Sequence, residues 1–255
     1  MKIGVTKLQD FSVADLETIE TARIEAVHTL ATCANPPTSA VAIVIPYLTN
    51  FAEYTQRCVD QIAINYPRVT YYEIHAYPNV QRHGYGWAWS SGDEFAMWWI
   101  AIVKYLSHRF PLAYFGFPKL EVGDDIGDYR QSSTVFESQA RDAIDIADFV
   151  STSVRWDSIE GDLSSMYACV WYVRNIVLQY GKPVYVTFYN HNNNVPKRIK
   201  AEQYLLFYKQ MAETQLVKAA FCHTLSSDDD RDTWSVWRTE ARESAIPEII
   251  GARDF

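Results

Sequence analysis

Short apolar runs alternate with amphipathic stretches along the whole chain. Eight runs rich in Val, Ile, Tyr and Phe stand out: Lys2–Thr6, Arg23–Thr29, Ala40–Pro46, Val69–His75, Ala113–Phe117, Phe149–Arg155, Val184–Tyr189 and Ala219–Leu225. Most are bounded by Gly, Pro, Asn or Asp, residues that end strands. Between the runs, apolar side chains recur three and four residues apart, the period of a helix. Phe95, Trp98, Trp99, Ile102, Val103 and Leu106 share one stripe, opened by a Ser91-x-x-Glu94 capping box and closed at Pro111. Phe136, Ala140, Ala143, Ile144 and Ala147 form a second stripe, and Tyr204, Leu205, Phe207, Tyr208 and Met211 a third. Strands alternating with helices at roughly 30-residue spacing predict an α/β fold, a single (β/α)8 TIM barrel with residues 1–255 as one domain. The competing layout is a doubly wound open sheet. No Gly-x-Gly-x-x-Gly or Walker loop follows any run, which counts against its nucleotide-binding form.

Composition narrows the function classes. Hydrophobic residues make up 48% and charged residues 21%, enough core and too little charge for a disordered chain. A net charge of −8 argues against a phosphate backbone as partner, so no nucleic acid is expected. Cys33, Cys58, Cys169 and Cys222 are scattered and read as free thiols, neither a disulfide frame nor a zinc site. Five histidines (His28, His75, His83, His191 and His223) fall near predicted strand ends, but no His-x-His or His-x-x-x-His spacing occurs. No metal and no cofactor are therefore expected. No apolar run is long enough for a membrane span. Met1-Lys-Ile-Gly-Val-Thr6 enters a strand directly, so no signal peptide is expected, and the location is read as cytoplasmic, or within a virion or other assembly.

In a (β/α)8 barrel the loops after the strands build the site. That rim collects Thr6–Lys7, Thr29, Pro46–Tyr47, His75–Asn79, Pro118–Glu121, Arg155–Asp157, Phe188–Asn194 and Leu225–Asp230. After the fourth run comes an aromatic and glycine loop, Gly84-Tyr-Gly-Trp-Ala-Trp-Ser-Ser-Gly92. Trp87, Trp89 and Trp156 are candidates for stacking on sugar faces or packing against a partner, whereas Trp98 and Trp99 fall on a helical core stripe. Asn190, His191, Asn192, Asn193 and Asn194 offer donors and acceptors suited to hydroxyl recognition, and equally to a tight turn.

Two motifs carry a family resemblance. Ile74-His-Ala-Tyr-Pro-Asn79 resembles the Ile-His-Asn-Glu-Pro-Asn of retaining (β/α)8 glycoside hydrolases, the superfamily of cellulases, xylanases and β-xylosidases. Val186-Thr-Phe-Tyr-Asn190 resembles their Ile-Thr-Glu-Phe-Asn. The resemblance implies that Tyr77 stands at the acid/base position and Phe188 at the nucleophile position. Retaining hydrolysis needs two carboxyl groups roughly 5–5.5 Å apart, and neither residue supplies one. Ala76 replaces the amide that binds the sugar 2-hydroxyl. The implied protein is a pseudoenzyme whose substrate contacts come from His75, Trp87, Trp89, Trp156, Asn190 and His191.

Other rim acids are Glu121, Asp124, Asp125, Asp157 and Asp228–Asp230. By the period of two, Glu73 shares a strand face with His75 and Tyr77 and lies deeper in the barrel. Three functions are compatible with these residues. One is a non-catalytic module for carbohydrate binding or assembly. Another is an active glycosidase with relocated groups, such as Glu121 with Asp157. The third is a structural subunit of a virion or other assembly, through self-association or contact with other proteins. No membrane partner is expected.

Overall fold

The computed structural model describes residues 1–37, 39–45, 50–122, 130–157, 162–190, 195–226, 237 and 245–255. Of the residues singled out above, His191, Asn192–Asn194, Asp124, Asp125 and Asp228–Asp230 lie outside this set, as do Pro46 and Tyr47. The strands are β1 (Lys2–Thr6), β2 (Ala26–Leu30), β3 (Ser39–Val44), β4 (Tyr71–Ile74), β5 (Tyr114–Phe117), β6 (Phe149–Trp156), β7 (Val184–Asn190) and β8 (Val217–His223). They run in chain order round one closed parallel barrel. The helices are α1 (Val13–Thr21), α2 (Phe51–Ala63), α3 (Gly92–Arg109), α4 (Ser133–Gln139), α5 (Arg141–Ile146), α6 (Ser164–Tyr180), α7 (Lys197–Ala212) and α8 (Ile246–Gly251). The fold is the predicted (β/α)8 barrel.

The departures from strict alternation have local causes. Residues 31–38 join β2 to β3, with no helix among those described, because Pro36 and Pro37 cannot donate to a helical ladder and Asn35 takes a left-handed φ of 53°. The second predicted stripe is two helices, broken where Ala140 opens to φ −82°, ψ 16°. β2 starts later than predicted because Arg23 takes a left-handed φ of 53°. At α3 the capping is shifted. Ser91 Oγ accepts the Glu94 amide at 3.2 Å, but the Glu94 carboxylate turns to the Ser90 amide at 2.7 Å and hydroxyl at 2.9 Å. Phe95, Trp99, Ile102, Val103 and Leu106 are buried as the stripe requires, each contributing about 1.5–3 kcal/mol.

Two compact units divide the chain. One comprises Met1–Thr29, Pro36–Ser39 and Val154–Phe255, the other Leu30–Asn35 and Ala40–Ser153. In the first, Gly4 of β1 leaves room for the ring of Phe221, with which an added Cβ would collide. The same unit closes on its last residues. The buried Arg253 guanidinium donates to the carbonyls of Ala22 at 2.7 Å, Ile250 at 3.0 Å and Arg23. In the second unit, Gly116 of β5 stands against the ring of Phe149 in the same way.

Candidate functional site

In the unit containing β3 to β5, a polar group gathers where β4 and β5 end. Glu73 is fully buried and accepts the Lys119 amide at 3.3 Å. The chain then leaves the barrel wall through two left-handed residues, His75 at φ 78° and Tyr77 at φ 54°, a conformation of order 1–3 kcal/mol above the usual wells. Backbone bonds hold it there: the His75 amide donates to Val44 O at 2.9 Å and the Tyr77 amide to Lys119 O at 2.8 Å. Lys119, itself buried, sets its ammonium 5.3 Å from the centre of the Tyr77 ring. Burial, with the Glu121 and Glu73 carboxylates nearby, pushes the Tyr77 phenol well above its ordinary value, and its hydrogen bond with Ser153 only partly offsets this. At neutral pH Tyr77 keeps its proton, so it offers neither a ready acid nor a nucleophile.

His75 does not share the face of Glu73. Strand alternation stops at Ile74, and the left-handed backbone swings the imidazole out toward the helices, the side that Tyr72 already faces. His75 Nε2 donates to His83 O at 2.7 Å, which leaves Nδ1 to accept from the Tyr54 hydroxyl of α2 at 3.2 Å. Burial lowers its pKa to about 3, so the ring stays neutral. Trp89 packs edge-on against it at 5.3 Å and donates its indole N–H to Pro78 O at 2.7 Å. Both side chains are buried, whereas Trp87 is 56% exposed, with its indole N–H on Gln81 O at 2.6 Å. Asn79 ties the two loops together, donating to Glu121 O and Gln131 O and accepting the Glu121 amide.

The unit containing β7 and β8 places Phe188 on the outer side of its strand. Its ring centre lies 4.5 Å from that of Phe207, 4.9 Å from Tyr208 and 5.7 Å from Tyr204, all on α7, and it stacks on Trp156 at 5.8 Å. Trp156 and Asn190 are buried on this side too, both donating to Gln203 Oε1, and Lys200 donates to Asn190 O. The residues on the other face of β7 are Tyr185, stacked on Phe221 at 6.4 Å, Thr187, 3.4 Å from His28 Nδ1, and the half-buried Tyr189, whose ring lies 5.5 Å from that of His223. The β1 register puts Thr6 level with His28 and His223, and the Thr6 hydroxyl has no partner among the described residues.

A second polar knot lies where β1 and β8 end. Asp15, three residues into α1 from its Ser12 cap, accepts from Ser226 Oγ at 2.6 Å and from the Ser12 amide and hydroxyl at 2.9 and 2.8 Å. Lys7 Nζ stands 3.5 Å from the carboxylate and donates to Ser226 Oγ at 2.8 Å. Burial alone would raise the Asp15 pKa, but these bonds and the Lys7 charge hold it at about 2. A depressed carboxylate pKa stabilises the fold above the unfolded value of 3.8, and that stability is lost as pH falls toward about 2. Asp15→Asn is expected to lower unfolding free energy by about 1–2 kcal/mol near neutral pH, allowing for partial screening, and by much less in acid. Urea unfolding across pH checks this, and a difference that does not shrink in acid would contradict the assignment.

Sequence reasoning put His75, Trp89, Trp156 and Asn190 at an open rim, and the structure gathers them in two buried groups, His75 with Trp89 and Trp156 with Asn190. It counted Lys119 within the Pro118–Glu121 rim without singling it out, and it missed Ser153. The signal for Ser153 was the pair Ser151 and Ser153, small polar residues at alternate positions of β6 and so on one face of it. No family model and no curated protein sequence matches the chain. Solved structures do. A GH128 (subgroup II) endo-β-1,3-glucanase from Sorangium cellulosum superposes with a TM-score of 0.75 at 12% identity, covering 99% of this chain and 98% of that one. A GH128 (subgroup I) endo-β-1,3-glucanase from Amycolatopsis mediterranei, in complex with laminaritriose, gives 0.67 at 14% identity and 98% of both chains. A β-glucuronidase from Bacteroides uniformis gives 0.65 at 9% identity, covering 91% of this chain and 31% of that one. At these identities the likeness is one of fold, and that fold is a glycoside-hydrolase-like (β/α)8 barrel.

Proposed function

We propose that the chain is one domain of 255 residues, a glycoside-hydrolase-like barrel that binds glucan without hydrolysing it. The observation that carries the reading is strand β7. Phe188, at the motif's nucleophile position, turns its ring outward against α7, and the residues left on the opposite face are Tyr185, Thr187 and Tyr189, so neither face offers a carboxyl group there. At strand four, Tyr77 holds its proton and is braced by Lys119 and Ser153. Full-length superposition on endo-β-1,3-glucanases, one of them in complex with laminaritriose, points to a β-1,3-glucan as the first ligand to try. Trp87 is the exposed aromatic of the sequence-predicted set and supplies the stacking face.

The test is titration calorimetry with laminarihexaose, alongside chromatography of the incubated sugar. Binding without shorter products is expected, and Trp87→Ala is expected to weaken it roughly tenfold, about 1.4 kcal/mol. Products above a heat-inactivated control would overturn the non-catalytic reading. Absence of binding to laminarihexaose and to other glucans would overturn the carbohydrate reading.

A further inference from the structure

We infer that the loop after β4, residues 80–89, is a preformed mount for the Trp87 ring, with Tyr85, Gly86 and Trp89 as its positioning residues. The ring it presents takes a neutral pyranose by the C–H face. This rests on the carbohydrate reading above and adds how the contact is made. Every backbone amide from His83 to Trp89 donates inside the loop. His83 and Tyr85 donate to Val80 O at 2.9 and 3.2 Å, Gly84 to Gln81 O at 3.1 Å and Gly86 to Trp89 O at 2.8 Å. Trp87, Ala88 and Trp89 converge on Gly84 O at 3.3, 2.8 and 3.4 Å. A loop whose donors are satisfied internally needs no ligand to order it.

Two buried rings peg the loop to its unit. Tyr85 lies 6.4 Å from Phe136 of α4, and Trp89 lies 4.9 Å from Phe95 and 5.2 Å from Trp98 of α3. Between the pegs, Gly86, Trp87 and Ala88 form an exposed tip. The chain turns at that tip through Gly86 at φ 85°, a left-handed conformation that strains an alanine more than an asparagine. The indole then sets what the tip can bind. Trp87 Nε1 donates to Gln81 O at 2.6 Å, so the ring's one donor is spent within its own loop. What faces outward is an aromatic surface that suits the C–H side of a sugar ring, and the indole offers no bond to a carboxylate or phosphate. Because the N–H edge is tied, stacking costs the side chain little further freedom.

Two measurements test this. In the ligand-free chain, hydrogen exchange read by NMR is expected to show the Trp87 indole N–H protected, along with the amides of residues 83–89. The indole signal is assigned by its loss in Trp87→Ala. Gly86→Ala is expected to speed that exchange and to weaken laminarihexaose binding about three- to tenfold in calorimetry, with Gly86→Asn recovering most of the loss. In a Trp87→Ala background, Gly86→Ala is expected to change affinity no further, because Gly86 acts only through the ring. That coupling separates a mount from a residue that merely supports the fold. Binding by the unmodified chain is expected to be the same at low and high salt. An indole N–H that exchanges as freely as in the unfolded chain, or a Gly86→Ala effect that persists without Trp87, overturns this inference while glucan binding stands. A protected loop on a chain that binds neither laminarihexaose nor other glucans overturns the carbohydrate reading instead, and the positioning role with it.

Discussion

Phe188→Glu is expected to unfold the protein rather than restore a nucleophile. The ring is fully buried between Trp156 and the α7 residues Tyr204, Phe207 and Tyr208. Losing a core phenylalanine typically costs about 3–5 kcal/mol. A carboxylate put in its place meets aromatic faces instead of water, which adds several kcal/mol or forces it to stay protonated. The total, roughly 5 kcal/mol or more, approaches the whole stability of an ordinary domain. Urea unfolding followed by circular dichroism should show no cooperative transition for Phe188→Glu, and a modest loss for Phe188→Leu, which keeps the site apolar. Tyr189→Glu, on the opposite strand face and only half-buried, should fold. A Phe188→Glu protein with a near-normal midpoint would mean that the ring does not sit against α7. On the expected result, adding Tyr77→Glu and Ala76→Asn to it cannot rebuild a hydrolase.

Arg253→Ala is expected to cost about 2–4 kcal/mol, through the backbone carbonyls its guanidinium answers. The residue is 7% exposed, and its guanidinium answers three backbone carbonyls, Ala22, Ile250 and Arg23, with the Glu25 carboxylate 3.8 Å away. Removing it takes this donor from the carbonyls of Ala22 and Arg23, while Ile250 O keeps the backbone amide of residue 253 at 3.4 Å, and bonds to a charged donor are worth about 1.5–3 kcal/mol each before compensation. Arg253→Lys should recover only part of the loss, since one ammonium cannot reproduce the planar fork. A calorimetric melting point within a degree or two of the unmodified chain for Arg253→Ala would contradict this account.

The barrel was legible because its evidence is periodic. Every strand except β2 falls within two residues of the run read from Val, Ile, Tyr and Phe content, and the third stripe became the buried face of α7. The candidate site was less legible because its geometry is set where periodicity stops. Alternation put His75 beside Glu73, but a left-handed φ after Ile74 turned it to the helices. The likeness of Val186–Asn190 to a glycosidase motif was read along the chain, and spacing alone could not say which strand face Phe188 takes. Its neighbours Phe207 and Tyr208 lie 19 and 20 positions further on, in a helix already identified as apolar. Lys119 entered only as one residue of the Pro118–Glu121 rim, since nothing local announces that it will be buried over Tyr77.

The two glycines inside the barrel strands bear on how such a chain can change. Gly4 faces the ring of Phe221 and Gly116 that of Phe149, each so close that even one methyl group has no room. Each pair therefore behaves as a lock with two halves. A side chain can grow at the glycine only after the ring has shrunk, and a ring lost first leaves a void that a lone glycine cannot fill. Neither order of single steps is smooth, so the two positions are bound to change together or not at all. A related barrel that has lost one member of a pair should be found to have replaced the other, whatever has happened at its rim.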